Sequence, residues 1–520
     1  MNQEIAAEKK ISKWDAIVIG SGIGGLVTAT QLAKKGAKVL VLEKYKIPGG
    51  SGGSFERKGF TFDVGASMIF GFGEKGHTNL LTRALADVNE RCEVIPDPSQ
   101  LAYHLPDNLN IVVNRNYNQF ISDLSERFPD ERIGIKKFYD KCWEVFNCLD
   151  AMPLLSIEDP SYLAKVFFKA PLACLGLARW LPFNVGDLAK KYIKNPELLK
   201  FIDIECFCWS VMPANSTPMI NAGMVFSDRH AGGINYPKGG VGTIATKLVK
   251  GLTNFGGEIR FKSNVIKVLL EENKAIGVEL ENGEQLYAES IISNATRWDT
   301  FGGEGVTNPL IELSQTPKSE LKWRTKYKAS PSFLSLHLGV SSEVIPKDCH
   351  CHHLILNNWD EMESEQGVCF ISIPTVLDKT LAPEGKQIVH AFTPSSIKEW
   401  EGLSSKDYIE KKKLAAEKLI KHIESVLPHL GDHIVHQEIG TPKTHRRFLG
   451  RYQGSYGPIP IKSLPGLLPM PFNSTKIRGL FCVGDSCFPG QGLNAVAFSG
   501  FACAHRIGAK LGINPWSLPH

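Results

Sequence analysis

The first hydrophobic pattern along the chain is an unbroken apolar run, Ala16-Ile17-Val18-Ile19, that stops at Gly20. A run this short and this apolar fits a strand buried on both faces. From Leu26 to Lys35 the apolar positions change to a helical period, with Ala29, Leu32 and Ala33 available for packing. Val39-Leu40-Val41-Leu42 is a second buried strand. Strand, helix and strand in this order predict a βαβ unit from Trp14 to Lys44.

Farther on, the stretch from about Asp107 to Arg229 reads as mostly helical, with breaks at Pro153, Pro160, Pro171, Pro182, Pro213 and Pro218. It is expected to form an inserted helical domain. A helix over Ile244–Phe255 precedes strand-like segments at Glu258–Phe261 and Val265–Leu270. Ala275–Leu280 and Gln285–Tyr287 flank Glu281-Asn282-Gly283-Glu284, and Asn-Gly is a strong signal for a tight hairpin turn. Ser290–Ser293 reads as another strand. From Thr300 to Pro471, strand-like runs such as Ser332–Leu338 and Val368–Ile373 alternate with the charged helix Asp407–Val426, which predicts a sheet-based second domain.

Composition narrows the class without naming it. Hydrophobic content of 43% and charged content of 22% exclude a disordered or fibrous chain. The 12 cysteines lack the close spacing of a disulfide framework, so a reducing compartment is expected. Met1–Lys13 has no apolar core of signal-peptide length, and the charge-free stretch Cys206–Phe226 is broken by Pro213 and Pro218. The expectation is an intracellular protein without a transmembrane helix. Net charge is +5, and Ser161–Lys200 alone carries seven basic residues against Asp187 and Glu197. No nucleic-acid motif accompanies that excess, so no nucleic-acid partner is expected and an anionic membrane surface fits better. Within it, Tyr162–Phe183 interleaves Phe167, Phe168, Leu172, Leu175, Leu177, Trp180 and Leu181 with Lys165, Lys169 and Arg179. That is the pattern of a face lying in a membrane interface, or of an amphipathic helix packed on the core.

The turn after the first strand, Gly20-Ser21-Gly22-Ile23-Gly24-Gly25, has G-x-G-x-x-G spacing and opens the helix, and Glu43 ends the second strand. Gly20 permits the tight turn, Gly22 lets the backbone approach a pyrophosphate, and Gly25 lets helix and strand pack closely. The helix N-terminus offers N–H groups to phosphate, and Glu43 can accept from ribose hydroxyls. Near the C-terminus, Leu480-Phe481-Cys482-Val483-Gly484-Asp485 reads as a strand ending in Gly-Asp, followed by Pro489-Gly490-Gln491-Gly492-Leu493-Asn494-Ala495 and an apolar helix. This resembles the two-dinucleotide-fold flavoproteins, which implies FAD, with the aspartate on the ribitol chain and the helix N-terminus favouring the negative charge of a reduced flavin.

Between these lie Pro48-Gly49-Gly50-Ser51-Gly52-Gly53-Ser54 and Gly59-Phe60-Thr61-Phe62-Asp63-Val64-Gly65-Ala66-Ser67. Four further segments are Ser227–Pro237, Ile292–Thr300, Thr444–Leu449 and Gly484–Gly492. Together they resemble the phytoene desaturase and amine oxidase group of flavoproteins, and within it the carotenoid isomerases, over nearly the whole chain. Ser51 departs from the arginine that many members carry after the Gly-Gly pair, so that arginine's role is not transferred. The implied fold is α/β, a Rossmann-type two-dinucleotide-binding FAD domain (14–106, 230–300 and 472–512) interleaved with a mixed sheet and helical substrate domain. The helical, membrane-facing insertion would be 107–229 and the substrate-binding part 301–471. The implied cofactor set is Gly20, Gly22, Gly24, Gly25, Glu43, Lys44, Gly49, Gly50, Ser51, Val265, Gly484, Asp485, Gly492, Asn494 and Ala495.

The implied activity is conversion of poly-cis lycopene to its all-trans form without net redox change, with a desaturase or saturase as the rival and a prenyl-binding escort behind it. Turnover near one per second needs a barrier of about 17 kcal/mol, which an unassisted polyene double bond does not meet. FAD working as FADH2 lowers the bond order by lending electrons or stabilising a cation, with NAD(P)H as an indirect reductant. The substrate is dissolved in lipid, which places the protein peripherally on the cytoplasmic face of a membrane. No side-chain nucleophile is required; Asp228, Arg229 and His230, and His445, Arg446 and Arg447, are candidates for a proton source or clamp, or are structural ion pairs. Cys349-His350-Cys351-His352-His353 has ligating residue types, but neighbours on a strand alternate faces and no second ligand set is near, so no metal is expected.

Overall fold

A computed structural model describes residues 14–65, 67–73, 80–152, 158–462 and 470–513. The expectations that fell on Met1–Lys13, Ala66 and Pro153 lie outside the described residues. The first of two seven-stranded sheets is built on Trp14–Ile19, which pairs in parallel with Val39–Leu42 on one side and with Gln285–Ser293 on the other. Glu258–Arg260 extends it beyond Val39–Leu42, and Leu480–Cys482 pairs in parallel with Ile291–Ser293. Ile17, Val18, Leu40 and Val41 are fully buried, as unbroken apolar runs require. The helix Ile23–Lys34 crosses over this sheet and is buried from Ile23 to Ala33, under the helices Gly242–Asn254 and Leu493–Lys510.

The segments Gln285–Tyr287 and Ser290–Ser293 are one strand, not two. Its first part pairs antiparallel with Lys274–Leu280 and its second part joins the parallel sheet. The half with a solvated face carries Gln285 and Glu289, and that polarity hides its continuity from the apolar pattern.

The second sheet has the order Ile434–Gly440, Ser332–Ser341, Lys386–Ser395, Val368–Ser372, His352–Leu356, Ser99–Leu105, Leu109–Asn114. One face, with Leu334, Leu336, Leu338, Val389 and Ala391, packs beneath the helix Ser405–Ile423. The other carries Phe333, Ser335, His337, His390 and Phe392. A domain boundary at 106/107 parts the hairpin Ser99–Leu105/Leu109–Asn114, which belongs wholly to this second sheet. Pro106-Asp107-Asn108, which reads as a break between domains, is the turn of that hairpin.

Helices then run from Tyr117 to Ala231 around Phe120, Phe138, Tyr139, Phe201 and Phe226. Pro160 and Pro171 start helices, since a first-turn proline forgoes an N–H that has no intrahelical partner. Among the described residues no single helix is long and apolar enough to cross a membrane. The helices Pro160–Lys169 and Pro171–Ala178 meet at 109° and leave Phe168 81%, Leu172 84% and Leu175 60% exposed.

Candidate functional site

The glycine turn after the first strand is built for close approach. Gly20 has φ +91°, which a side chain would strain, and a β-carbon on Gly22 would stand 2.7 Å from Nδ2 of Asn294. Asn294 donates from Nδ2 to the Gly20 carbonyl (3.4 Å), and its own N–H bonds the Ile19 carbonyl (3.0 Å). Gly22 caps the helix Ile23–Lys34 without a side-chain cap, which leaves its first N–H groups open to an anion. Glu43 accepts from Ser21 N (2.8 Å), Ser21 Oγ (2.7 Å) and Tyr45 N (2.8 Å). Gly49 donates to the Ser21 carbonyl (2.9 Å), so the second glycine-rich segment lies against the first. The helix Leu493–Lys510 likewise starts at an uncapped residue, Gly492.

A cavity of about 380 Å³ runs from these turns to the second sheet. One end is lined by Gly22, Gly24, Gly49, Ser51, Gly484, Asp485 and Asn494. The other is apolar: Phe70 meets Trp209 edge-on with centroids 4.2 Å apart, and Phe333, Phe370 and Phe392 form a wall at 4.9 to 5.0 Å spacings. His390, His445, Arg451 and Tyr456 also line it. Arg451 pairs with Asp485, lies 5.6 Å from the Tyr456 ring centroid, and donates to the Ser455 carbonyl. His445 sits between Ser335 Oγ (3.4 Å) and Tyr456 Oη (3.2 Å). Burial, aided by the Arg451 charge, pushes the His445 imidazole down to about 4, and burial pushes the Tyr456 phenol up to about 12. The pair is neutral, with the proton on Tyr456.

The profile of the family described as flavin-containing amine oxidoreductase matches residues 23–507. The chain belongs to the flavin-containing amine oxidoreductase family. It is 58% identical to the chloroplastic prolycopene isomerase of Daucus carota, over 96% of this chain and 81% of that protein. The chloroplastic prolycopene isomerase of Arabidopsis thaliana is 55% identical, over 96% of this chain and 84% of that one. Among solved structures, an oxidoreductase from Methanosarcina mazei superposes with a TM-score of 0.62 at 19% identity, covering 94% of this chain and 99% of that one, and this likeness concerns the fold.

A flavin-containing amine oxidoreductase holds FAD, and the cradle fits that group. Two buried polar atoms of residues that line it, Ser51 Oγ and Asn494 Oδ1, have no hydrogen-bond partner among the described residues, as expected where a ligand supplies one. Gly22, Gly24, Gly49, Ser51, Gly484, Asp485, Gly492, Asn494 and Ala495 line the cavity together. Gly20, Gly25 and Gly50 belong to the same turns but do not line the cavity themselves. Glu43 braces the loop, with three of its acceptor sites used by protein donors. Lys44 lies by Gly450, where a β-carbon would come within 3.0 Å of Nζ, and Val265 packs into the sheet core with Trp14 and Leu280.

The two candidate clusters come apart. In this family member Asp228 lines the cavity, but Arg229 and His230 do not. Arg229 is consumed as counter-ion to Glu205 (2.5 Å), with both side chains at most 1% exposed, and its guanidinium lies 5.1 Å from the Phe120 and Phe226 ring centroids. His230 stacks on Phe120, and burial followed by the Arg229 charge pushes its imidazole down to about 3. His445 is in the site, whereas Arg446 pairs with Glu401 at the surface and Arg447 lies over Phe448. Helical period explains this: His445 faces the core, and the next two residues turn away from it.

Sequence reading missed Asn294, Arg451, Tyr456 and His390. Asn294 lies within a segment that carried the resemblance, but nothing local marks it as the brace of the first glycine turn; Arg451 and Tyr456 sit in an irregular loop. In Cys349–His353 the imidazoles have protein partners: His352 meets Asp97 and Ser67 (3.2 Å each), His353 meets His104 (3.0 Å), and His350 meets Ser99 (2.6 Å). Asp97, Cys351 and His352 nonetheless bring possible ligand atoms within 4.8 Å of one another.

Proposed function

We propose that this chain is an FAD-dependent isomerase that converts poly-cis lycopene to the all-trans form with no net redox change. The observation that carries the reading is the 58% identity to a prolycopene isomerase over 96% of the chain. An aromatic-walled cavity continuous with the flavin cradle supports it, because a long hydrocarbon needs apolar burial beside the cofactor. Bound in its reduced form, with NAD(P)H as an indirect reductant, FAD would supply the reversible electron-donating chemistry that lowers the bond order of a polyene without net redox change. The protein's own residues would bind, orient and exclude water: Gly22, Gly24 and the uncapped helix starts would hold the cofactor, and Phe333, Phe370, Phe392 and Trp209 would align the chain. Neutral His445 and Tyr456 add no charge to the wall.

The reading extends to the membrane from which the substrate comes. Phe167, Phe168, Leu172 and Leu175 would enter the lipid interface, flanked by Lys165, Lys169 and Arg179; Arg179 also pairs with Glu144. The experiment is an anaerobic assay of poly-cis lycopene with reduced FAD, read by chromatography and mass spectrometry. Product of unchanged mass and no stoichiometric use of reductant are expected. A shift of two hydrogens would make the enzyme a desaturase or saturase, and a colourless protein without turnover would favour an escort role.

A further inference from the structure

The side of the second sheet that faces the cavity changes character along its strands. Phe333 stands opposite Pro394, Ser335 and Phe370 flank Phe392, and His337 and Ser372 flank His390. Residues 390, 392 and 394 share one face because side chains alternate along a strand, and all three line the cavity. The wall therefore passes from aromatic to polar over two rungs. At the polar rung His390 is 2% exposed and stacks on His337 at 4.3 Å. His337 is itself held by the backbone carbonyl of Asp63 (3.0 Å). Among the described residues nothing hydrogen-bonds His390 Nδ1. Burial, with His337 and His445 adding to it, holds the His390 imidazole well below its ordinary range, so it is neutral.

A buried polar nitrogen on a ligand cavity is satisfied when the ligand brings the missing partner. A pure hydrocarbon brings none. We propose that His390 is a hydrogen-bonding subsite for an oxygen function, and that the cavity accepts hydroxylated polyenes in addition to hydrocarbon ones. A hydroxyl can donate to one imidazole nitrogen or accept from it, whichever tautomer is present. Phe392 and Phe370 beside it hold the conjugated part of the same molecule. The inference rests on the polyene-isomerase reading for the class of ligand, but its test does not depend on turnover.

The test uses the flavin-loaded protein under anaerobic conditions and two polyenes of equal length, poly-cis lycopene and a poly-cis lycopene bearing one terminal hydroxyl. Affinity is read from quenching of tryptophan emission, Trp209 being in the cavity wall. The hydroxylated probe is expected to bind about tenfold tighter, the worth of one buried hydrogen bond. His390→Phe should bring the ratio of the two affinities to about one, and His390→Gln, which keeps a hydrogen-bonding group, should retain part of the preference. Equal affinities in the unaltered protein would overturn the proposal, as would a preference undiminished in both variants. A shifted flavin absorption spectrum in His390→Phe with the affinity ratio unchanged would also overturn it, because His390 would then serve the cofactor. If neither probe is isomerised while the affinities differ, the isomerase reading fails and the subsite stands.

Discussion

At the residue scale the sharpest constraint is the space around Gly22. A β-carbon there would meet Asn294 Nδ2 at 2.7 Å, and Asn294 is pinned by both of its neighbours in the turn. Gly22→Val should therefore reduce bound flavin at least tenfold, read as the ratio of visible flavin absorbance to protein absorbance in the purified protein. Asn294→Leu, which keeps the bulk but removes the donor, should weaken flavin retention less than the glycine change. Arg229 offers a different test, because its role is paired burial. Arg229→Met leaves the Glu205 carboxylate at 0% exposure with Tyr139 (2.8 Å) as its remaining partner, which should cost about 3–5 kcal/mol in a urea titration. Glu205→Leu combined with Arg229→Met should recover most of that loss, since no buried charge is then left alone. If Arg229 acted in catalysis, the double variant would regain stability and stay inactive.

At the scale of elements, the two short helices Pro160–Lys169 and Pro171–Ala178 present apolar side chains that a protein core would ordinarily cover. Phe168→Asp with Leu172→Asp should abolish co-flotation with anionic liposomes and leave the thermal midpoint nearly unchanged, because both side chains are more than four-fifths exposed. Unaltered flotation would move the membrane contact elsewhere. The strands gave up their identity unevenly. Trp14–Ile19 and Val39–Leu42 are legible because burial on both faces forces an unbroken apolar run. Gln285–Ser293 reads as two pieces because its environment changes halfway along. Ser99–Leu105 is buried over nearly its whole length, yet it carries Ser99, Gln100 and His104, whose partners come from distant parts of the chain.

At the scale of the whole molecule, the buried histidines dominate the response to acid. Burial pushes His230, His337 and His353 down to about 3 and His445 to about 4. The unfolded chain takes up these protons near pH 6.5 while the folded chain refuses them, so stability falls as pH drops below that value. By pH 5 each site has lost about 2 kcal/mol, a sum comparable to the total stability of an ordinary domain. Asp63 opposes the trend: burial raises its carboxyl above 3.8, so its contribution falls as pH rises through that higher folded value. The thermal midpoint should therefore drop steeply between pH 6.5 and 5, and His337→Gln should shallow that slope by roughly one proton's share. The dinucleotide turn, the crossover helix and the strand that leads into Gly484-Asp485 were determined by the sequence itself, because each depends on local backbone freedom and on periods that neighbouring residues set. The division of candidates, His445 into the cavity and Arg229 into the helical core, was decided only by the tertiary structure. So were the brace at Asn294, the Arg451–Asp485 pair and the polar rung at His390, because burial and pairing arise between elements that only the fold brings together, 24 residues apart for Arg229 and Glu205, 34 for Arg451 and Asp485, and 274 for Asn294 and Gly20.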